Sequence, residues 1–167
     1  MKSVIIILGV VLFSNAFAYE IGQTVPNLCW TDATGSSICL DHFPDTVKVV
    51  DFGAGWCGPC NSKMAELARR VSEFNGMRVK FFSNSIHGWQ NPSAPSAQFL
   101  NEWRARHNIP ASMAVVAAPI QQLYEFSPEG YIPALAVIDQ NNVLSYREVG
   151  ASINTVFAEV RRLLGTR

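Results

Sequence analysis

This 167-residue chain holds no apolar run long enough to cross a bilayer. The longest, Val4 to Phe13, has ten residues, where a spanning helix needs about 20. It lacks a charge excess of either sign. Thirteen Lys and Arg face thirteen Asp and Glu, so there is no basic footprint for nucleic acid or an anionic membrane surface. Internal repeats, charge blocks and low-complexity tracts are missing too. The most loop-like stretch, Asn91-Pro92-Ser93-Ala94-Pro95-Ser96, is too short to link two domains. Histidine is scarce and scattered: His42, His87 and His107 each stand alone and read as surface or capping residues. Only four cysteines occur, and Cys29 and Cys39 are ten positions apart. A structural zinc site wants four ligands, usually from two close pairs, so no resident metal or other cofactor is expected.

What the ends contain is more telling. Lys2, the apolar run and Ala16-Phe17-Ala18 fit a secretory signal peptide over residues 1–18, cleaved after Ala18 so that Tyr19 becomes the first mature residue. The remaining 19–167 is the size of one domain. All four cysteines survive that cleavage. An even count in an exported chain makes disulfides the default expectation. Proximity favours the pairings 29–39 and 57–60 among the three possible.

Periodicity sketches the elements. Val47 to Phe52 is an apolar, β-branched run suited to a buried strand. After Cys60 the period becomes helical: Met64, Leu67, Ala68, Val71 and Phe74 share a face, and Gly76 ends it. Arg78 to Phe82 reads as a second strand. Asn91-Pro92-Ser93 opens a second helix that turns Phe99, Leu100 and Trp103 inward and ends near Asn108. Met113 to Val116 is a short strand, followed by a weak helical turn over 121–124. Ala134 to Ile138 and Val143 to Val149 flank a hairpin loop at 139–142. Ile153, Val156, Phe157, Val160, Leu163 and Leu164 mark a last helix, capped by Ser152 or Asn154. Near the start, strands paired about Thr34 set Trp30 opposite Ile38 and Cys29 opposite Cys39, close enough for a disulfide staple on an edge hairpin. A second redox pair is the competing reading of those two cysteines. The pattern predicts an α/β domain, a central mixed β-sheet flanked by helices with an N-terminal β-hairpin. Trp30, Trp89 and Trp103 are expected in the core or on its flank.

The chemistry concentrates in Val49-Val50-Asp51-Phe52-Gly53-Ala54-Gly55-Trp56-Cys57-Gly58-Pro59-Cys60. A strand runs into a small-residue turn, and a helix begins around Cys57. Free backbone N–H groups and the positive end of the helix dipole stabilise a thiolate there, so Cys57 is the candidate nucleophile. Cys60, one turn on, points inward and can resolve a mixed disulfide. Pro59 is tolerated in a first turn, and Gly58 leaves the sulfur uncovered. Trp56 is expected beside the site, shaping the substrate surface. A transient metal role for the two thiols stays open, as in a copper-handling or assembly partner.

Asp51-Phe52-x-Ala54-x-Trp56-Cys57-Gly58-Pro59-Cys60 resembles the active-site signature of thioredoxin. The resemblance implies a thioredoxin-like fold, and a proton-transfer role for Asp51, whose desolvated carboxyl would titrate near neutrality. Gly130-Tyr131-Ile132-Pro133 and the strand after it are similar to the family's cis-proline loop. That would set Ile132 and Pro133 beside the sulfurs as substrate-binding groups. The leader, the N-terminal hairpin and the segment 85–116 resemble the TlpA/ResA branch of periplasmic thioredoxins. This branch implies an exported thiol–disulfide oxidoreductase, chiefly a reductase of protein disulfides, recharged by a membrane electron donor of the DsbD or CcdA kind. A dithiol oxidase is the alternative direction. The sequence departs from the branch at Lys63 and Ala65, where Glu and Pro are common. It departs again at Asn61, where a basic residue is usual, and at Ser127-Pro128-Glu129, which lengthens the approach to the proline. A peroxidase on a related fold is disfavoured, because Ala54 occupies the place of its threonine.

Overall fold

A computed structural model describes residues 18–166. The expected signal peptide therefore lies almost wholly outside the described residues, Ala18 excepted. Among the described residues no helix is long and apolar enough to cross a membrane.

The elements run β1 (Cys29–Asp32), β2 (Ser37–Cys39), β3 (Val47–Ala54), α1 (Gly58–Arg70), β4 (Val79–His87) and α2 (Ala97–Arg106). They continue with β5 (Ala114–Ala117), α3 (Ile120–Phe126), β6 (Ala134–Ile138), β7 (Leu144–Val149) and α4 (Ile153–Leu164). Seven strands form one mixed sheet in the order β2-β1-β5-β4-β3-β6-β7. β3 pairs parallel with β4 and antiparallel with β6. Every residue of β3 is buried, as befits a central strand covered on both faces.

Helices α1, α2 and α4 bury their apolar stripes against one face, through Met64, Leu67, Phe99, Trp103, Val156 and Phe157 among others. Helix α3 and the N-terminal segment cover the other, with Trp30, Leu40, Phe82, Leu123 and Phe126. Ser152 caps α4, its Oγ accepting from Asn154 N–H, and Gly165 ends the helix in the left-handed conformation at φ 69°. The hairpin has the expected register, Cys29 opposite Cys39 and Trp30 opposite Ile38.

Three expectations change. β4 continues past Phe82 to His87. Ser83, Asn84 and Ser85 interrupt its apolar pattern but are buried between β3 and β5, where Ser83 Oγ accepts from Trp103 Nε1 at 3.0 Å. The second helix starts not at Asn91 but at Ala97, with Ser96 as its cap. Pro92 and Pro95 bias Asn91 and Ala94 away from helical geometry, and a closed turn forms instead, Gly88 N–H donating to Ser93 O and Ser93 N–H to Gln90 O. The weak turn at 121–124 is the middle of a seven-residue helix, α3.

Candidate active site

The site forms where β3 ends between β4 and β6. Cys57 and Cys60 are joined by a disulfide with Cα atoms 5.2 Å apart. Cys57 is the N-cap of α1, and Pro59 sits in the first turn, where an N–H has no helical partner in any case. Cys57 Sγ accepts from Cys60 N–H at 3.2 Å. The arrangement aims the helix N-terminus at the Cys57 sulfur, which favours a thiolate once the bond is reduced. Both sulfurs are more covered than glycine at 58 suggests: Cys57 is 5% exposed and Cys60 1%. Cys57 remains the more accessible of the two.

Asp51 lies behind them on β3, 2% exposed, with Oδ1 lacking a hydrogen-bond partner. Burial pushes its pKa up to about 7, against a smaller opposing pull from Lys63. Gly53 explains how carboxyl and sulfur come together. A Cβ placed there would sit 3.3 Å from Cys60 Cβ, 3.7 Å from Cys60 Sγ and 3.9 Å from Asp51 Oδ2. The absent side chain leaves both groups facing one small space.

The loop before the disulfide is fixed by contacts that no motif announced. A Cβ at Gly55 would fall 2.7 Å from Gly88 O and from the rings of Phe99 and Trp89, so only glycine fits. Gly55 N–H donates to Gly88 O at 3.0 Å. Asn61, where a basic residue was the family expectation, donates its Nδ2 to Gly55 O and Cys57 O. His87 is neither the surface nor the capping residue expected of a lone histidine. It is buried at the end of β4 with Nδ1 unpartnered, its ring 6.2 Å from that of Trp56. His107 is buried as well, edge-on to Trp103, and burial lowers its pKa. His42 caps by accepting from Cys39 N–H, and His107 is the C-cap residue of α2. The sequence gives no sign of which histidine does what.

On the β6 side, the Ile132–Pro133 peptide is cis. Ile132 packs against the apolar cluster that contains Cys57 and Cys60. Pro133 is buried and lines a groove of about 290 Å³ with Pro59, Ser62, Lys63, Glu66 and Gly150. Trp56 and Gly58 are exposed. Asp51, Trp56, Cys57, Gly58, Pro59, Cys60, Ile132 and Pro133 are therefore all gathered at one end of the sheet. The Cys29–Cys39 disulfide stands apart, with β5 and β4 between its hairpin and β3. A cavity of about 520 Å³ lies at the opposite end of the sheet, between Asp45, Met77, Arg78 and Gln140. It holds none of this chemistry.

A family model described as Redoxin matches residues 20–164. The chain belongs to the Redoxin family. Thioredoxin H-type from Ricinus communis is 33% identical over 66 residues, covering 36% of this chain and 56% of that protein, so the chain spans only about half the length of this curated relative. Among solved structures, a thiol:disulfide interchange protein of the thioredoxin family from Chlorobium tepidum superposes with a TM-score of 0.68 at 19% identity, covering 89% of this chain and all of that one. A candidate thiol:disulfide interchange protein DsbE from the same organism gives 0.71 at 18%, with the same coverage. The exposed lipoprotein thioredoxin Etrx1 of Streptococcus pneumoniae gives 0.61 at 17%, over 82% and 99%. At these identities the likeness is one of fold, and the fold is thioredoxin-like. The Redoxin match takes in the whole sheet and the Cys57–Cys60 pair.

Proposed function

We propose that this Redoxin is an exported reductase of protein disulfides in which Cys57 attacks and Cys60 resolves. The observation that carries the reading is the Cys57–Cys60 pair at the head of α1, with the buried Asp51 carboxyl facing Cys60 across the space left by Gly53. In the reduced protein the Cys57 thiolate attacks one sulfur of a substrate disulfide. A Cys57–substrate disulfide forms and the other substrate sulfur leaves as a thiolate. Asp51, ionised at neutral pH about as often as not, takes the Cys60 proton. The Cys60 thiolate then attacks Cys57, closing the 57–60 bond and expelling the second substrate thiol. Two electrons pass from protein to substrate. Trp56, Gly58, Pro59, Ile132 and Pro133 border the reacting sulfurs and form the substrate-binding surface.

Residues 1–18 act as the cleaved leader of one mature domain, 19–167, and Cys29–Cys39 is its structural staple. Turnover in an oxidising compartment needs a reductant, and a membrane dithiol carrier of the DsbD or CcdA kind supplies it. N-terminal sequencing of the exported protein should begin at Tyr19.

The deciding experiment is the equilibrium reduction potential of Cys57–Cys60 in protein with Cys29 and Cys39 changed to alanine. A value near thioredoxin's, about −270 mV, supports a reductant, whereas a value near about −120 mV makes the protein a dithiol oxidase.

A further inference from the structure

Six large apolar side chains are well exposed among the described residues: Ile21, Trp56, Met77, Tyr124, Tyr131 and Val149. Four of them crowd the end of the sheet that carries the disulfide. Val149 is paired with Ala134 at the start of β6. Trp56, 44% exposed, leans toward His87 at the end of β4. Tyr131, 65% exposed, enters β6 from the other side, next to Ile132. Since β4 and β6 flank β3, Trp56 and Tyr131 stand beside strands on opposite sides of the one that leads into Cys57.

The Tyr131 side is a built platform. Ser127 is buried and its Oγ–H donates to Tyr131 O at 3.0 Å. Gly130 N–H donates to Ser127 O at 2.8 Å, and Ser127 N–H to Leu123 O at 2.7 Å. Tyr124, 47% exposed, packs so tightly on Gly130 that a Cβ there would lie 2.7 Å from its ring, and Gly130 is also at φ +71°. Tyr124 on α3 and Tyr131 on the loop tied to that helix are thus both exposed on a braced frame, at little ordering cost on binding. An exposed apolar surface at the end of the sheet that carries the reactive disulfide marks a contact site.

We propose that the Tyr124–Tyr131 platform and Trp56 together form a two-sided apolar clamp. Its occupant is an extended polypeptide whose target cysteine carries a bulky apolar residue within two positions on each side. The spacing supports this. Two strand separations are about 10 Å, which is roughly three residues of extended chain. A cysteine centred over Cys57 thus brings its neighbours to the two walls. This substrate class rests on the reductase reading of the same site.

The test uses two synthetic peptides, each with one cysteine carried as its mixed disulfide with thionitrobenzoate. One has Phe and Leu flanking the cysteine, the other Ser and Gly. Attack by reduced Cys57 and resolution by Cys60 releases the peptide thiol and the coloured thionitrobenzoate thiol. The expected kcat/KM ratio, apolar over polar, is about tenfold or more. It should fall toward one in Tyr131→Ser and recover in Tyr131→Phe. Equal rates for the two peptides overturn the clamp and leave the reductase reading standing, as does a ratio that Tyr131→Ser does not change. If neither peptide reacts, the reductase reading fails and the clamp fails with it.

Discussion

Asp51 and Cys60 are brought face to face by a residue with no side chain. The carboxyl Oδ2 and the sulfur both lie within 4 Å of the place a Cβ would take at Gly53. Burial there raises the Asp51 pKa to about 7, which suits it to the proton transfer proposed for Cys60.

The buried carboxyl costs stability when charged. Its pKa is raised from 3.8 to about 7 by folding, so the folded state holds a proton that the unfolded state has released between those values. Stability therefore falls as pH rises from about 4 to 7 and is level with respect to this group above that. Asp51→Asn is expected to remove the slope and to be more stable at pH 8, by on the order of 4 kcal/mol at most. Urea midpoints from pH 4 to 8 measure it. The same variant should slow resolution of the mixed disulfide near neutrality.

Cys57→Ser should abolish disulfide reduction. Cys60→Ser should retain the first attack and accumulate a covalent Cys57–substrate disulfide, visible by non-reducing mass spectrometry. Undiminished turnover in Cys60→Ser would overturn the assigned roles.

Lys63 is the one charged group that opposes the effect of burial on Asp51. Lys63→Met removes that pull, so the Asp51 pKa moves further up. The pH midpoint of the resolving step should shift in the alkaline direction, and Lys63→Arg should restore it. A midpoint unmoved by Lys63→Met would show that the two charges do not communicate.

Gly55→Ala places a methyl group 2.7 Å from Gly88 O and from two aromatic rings. Overpacking of this kind costs about 1–3 kcal/mol. The thermal midpoint should fall, and the reduction potential should shift, because the displaced loop carries Cys57. Gly58→Ala, with nothing within 4 Å of its added Cβ, should leave the midpoint nearly unchanged.

The Cys29–Cys39 bond closes a short loop, its cysteines ten residues apart in sequence. Loop-closure entropy for that length is worth about 3 kcal/mol. The double alanine variant should lose about that much stability while keeping the Cys57–Cys60 potential, which separates a staple from a second redox centre.

Much of this protein was legible before its structure. The Cys57–Cys60 motif, the strand-to-helix turn, the register of the first hairpin and the stripe of α4 are local patterns. They obey the helical and strand periods and the reach of a disulfide, which depend on neighbours in sequence. The length of β4 was hidden because Ser83, Asn84 and Ser85 look like a surface stretch, and only pairing on both edges buries them. Helix α2 was placed too early because Pro92 and Pro95 turn the chain away from helical geometry into a local turn closed between Gly88 and Ser93. The burial of His87 and the need for glycine at 55 depend on residues far apart in the chain. Sequence alone placed a cysteine pair at a helix start, since that arrangement is encoded in a few consecutive residues. Tertiary packing decided what surrounds them, because burial and facing surfaces exist only once distant strands have met.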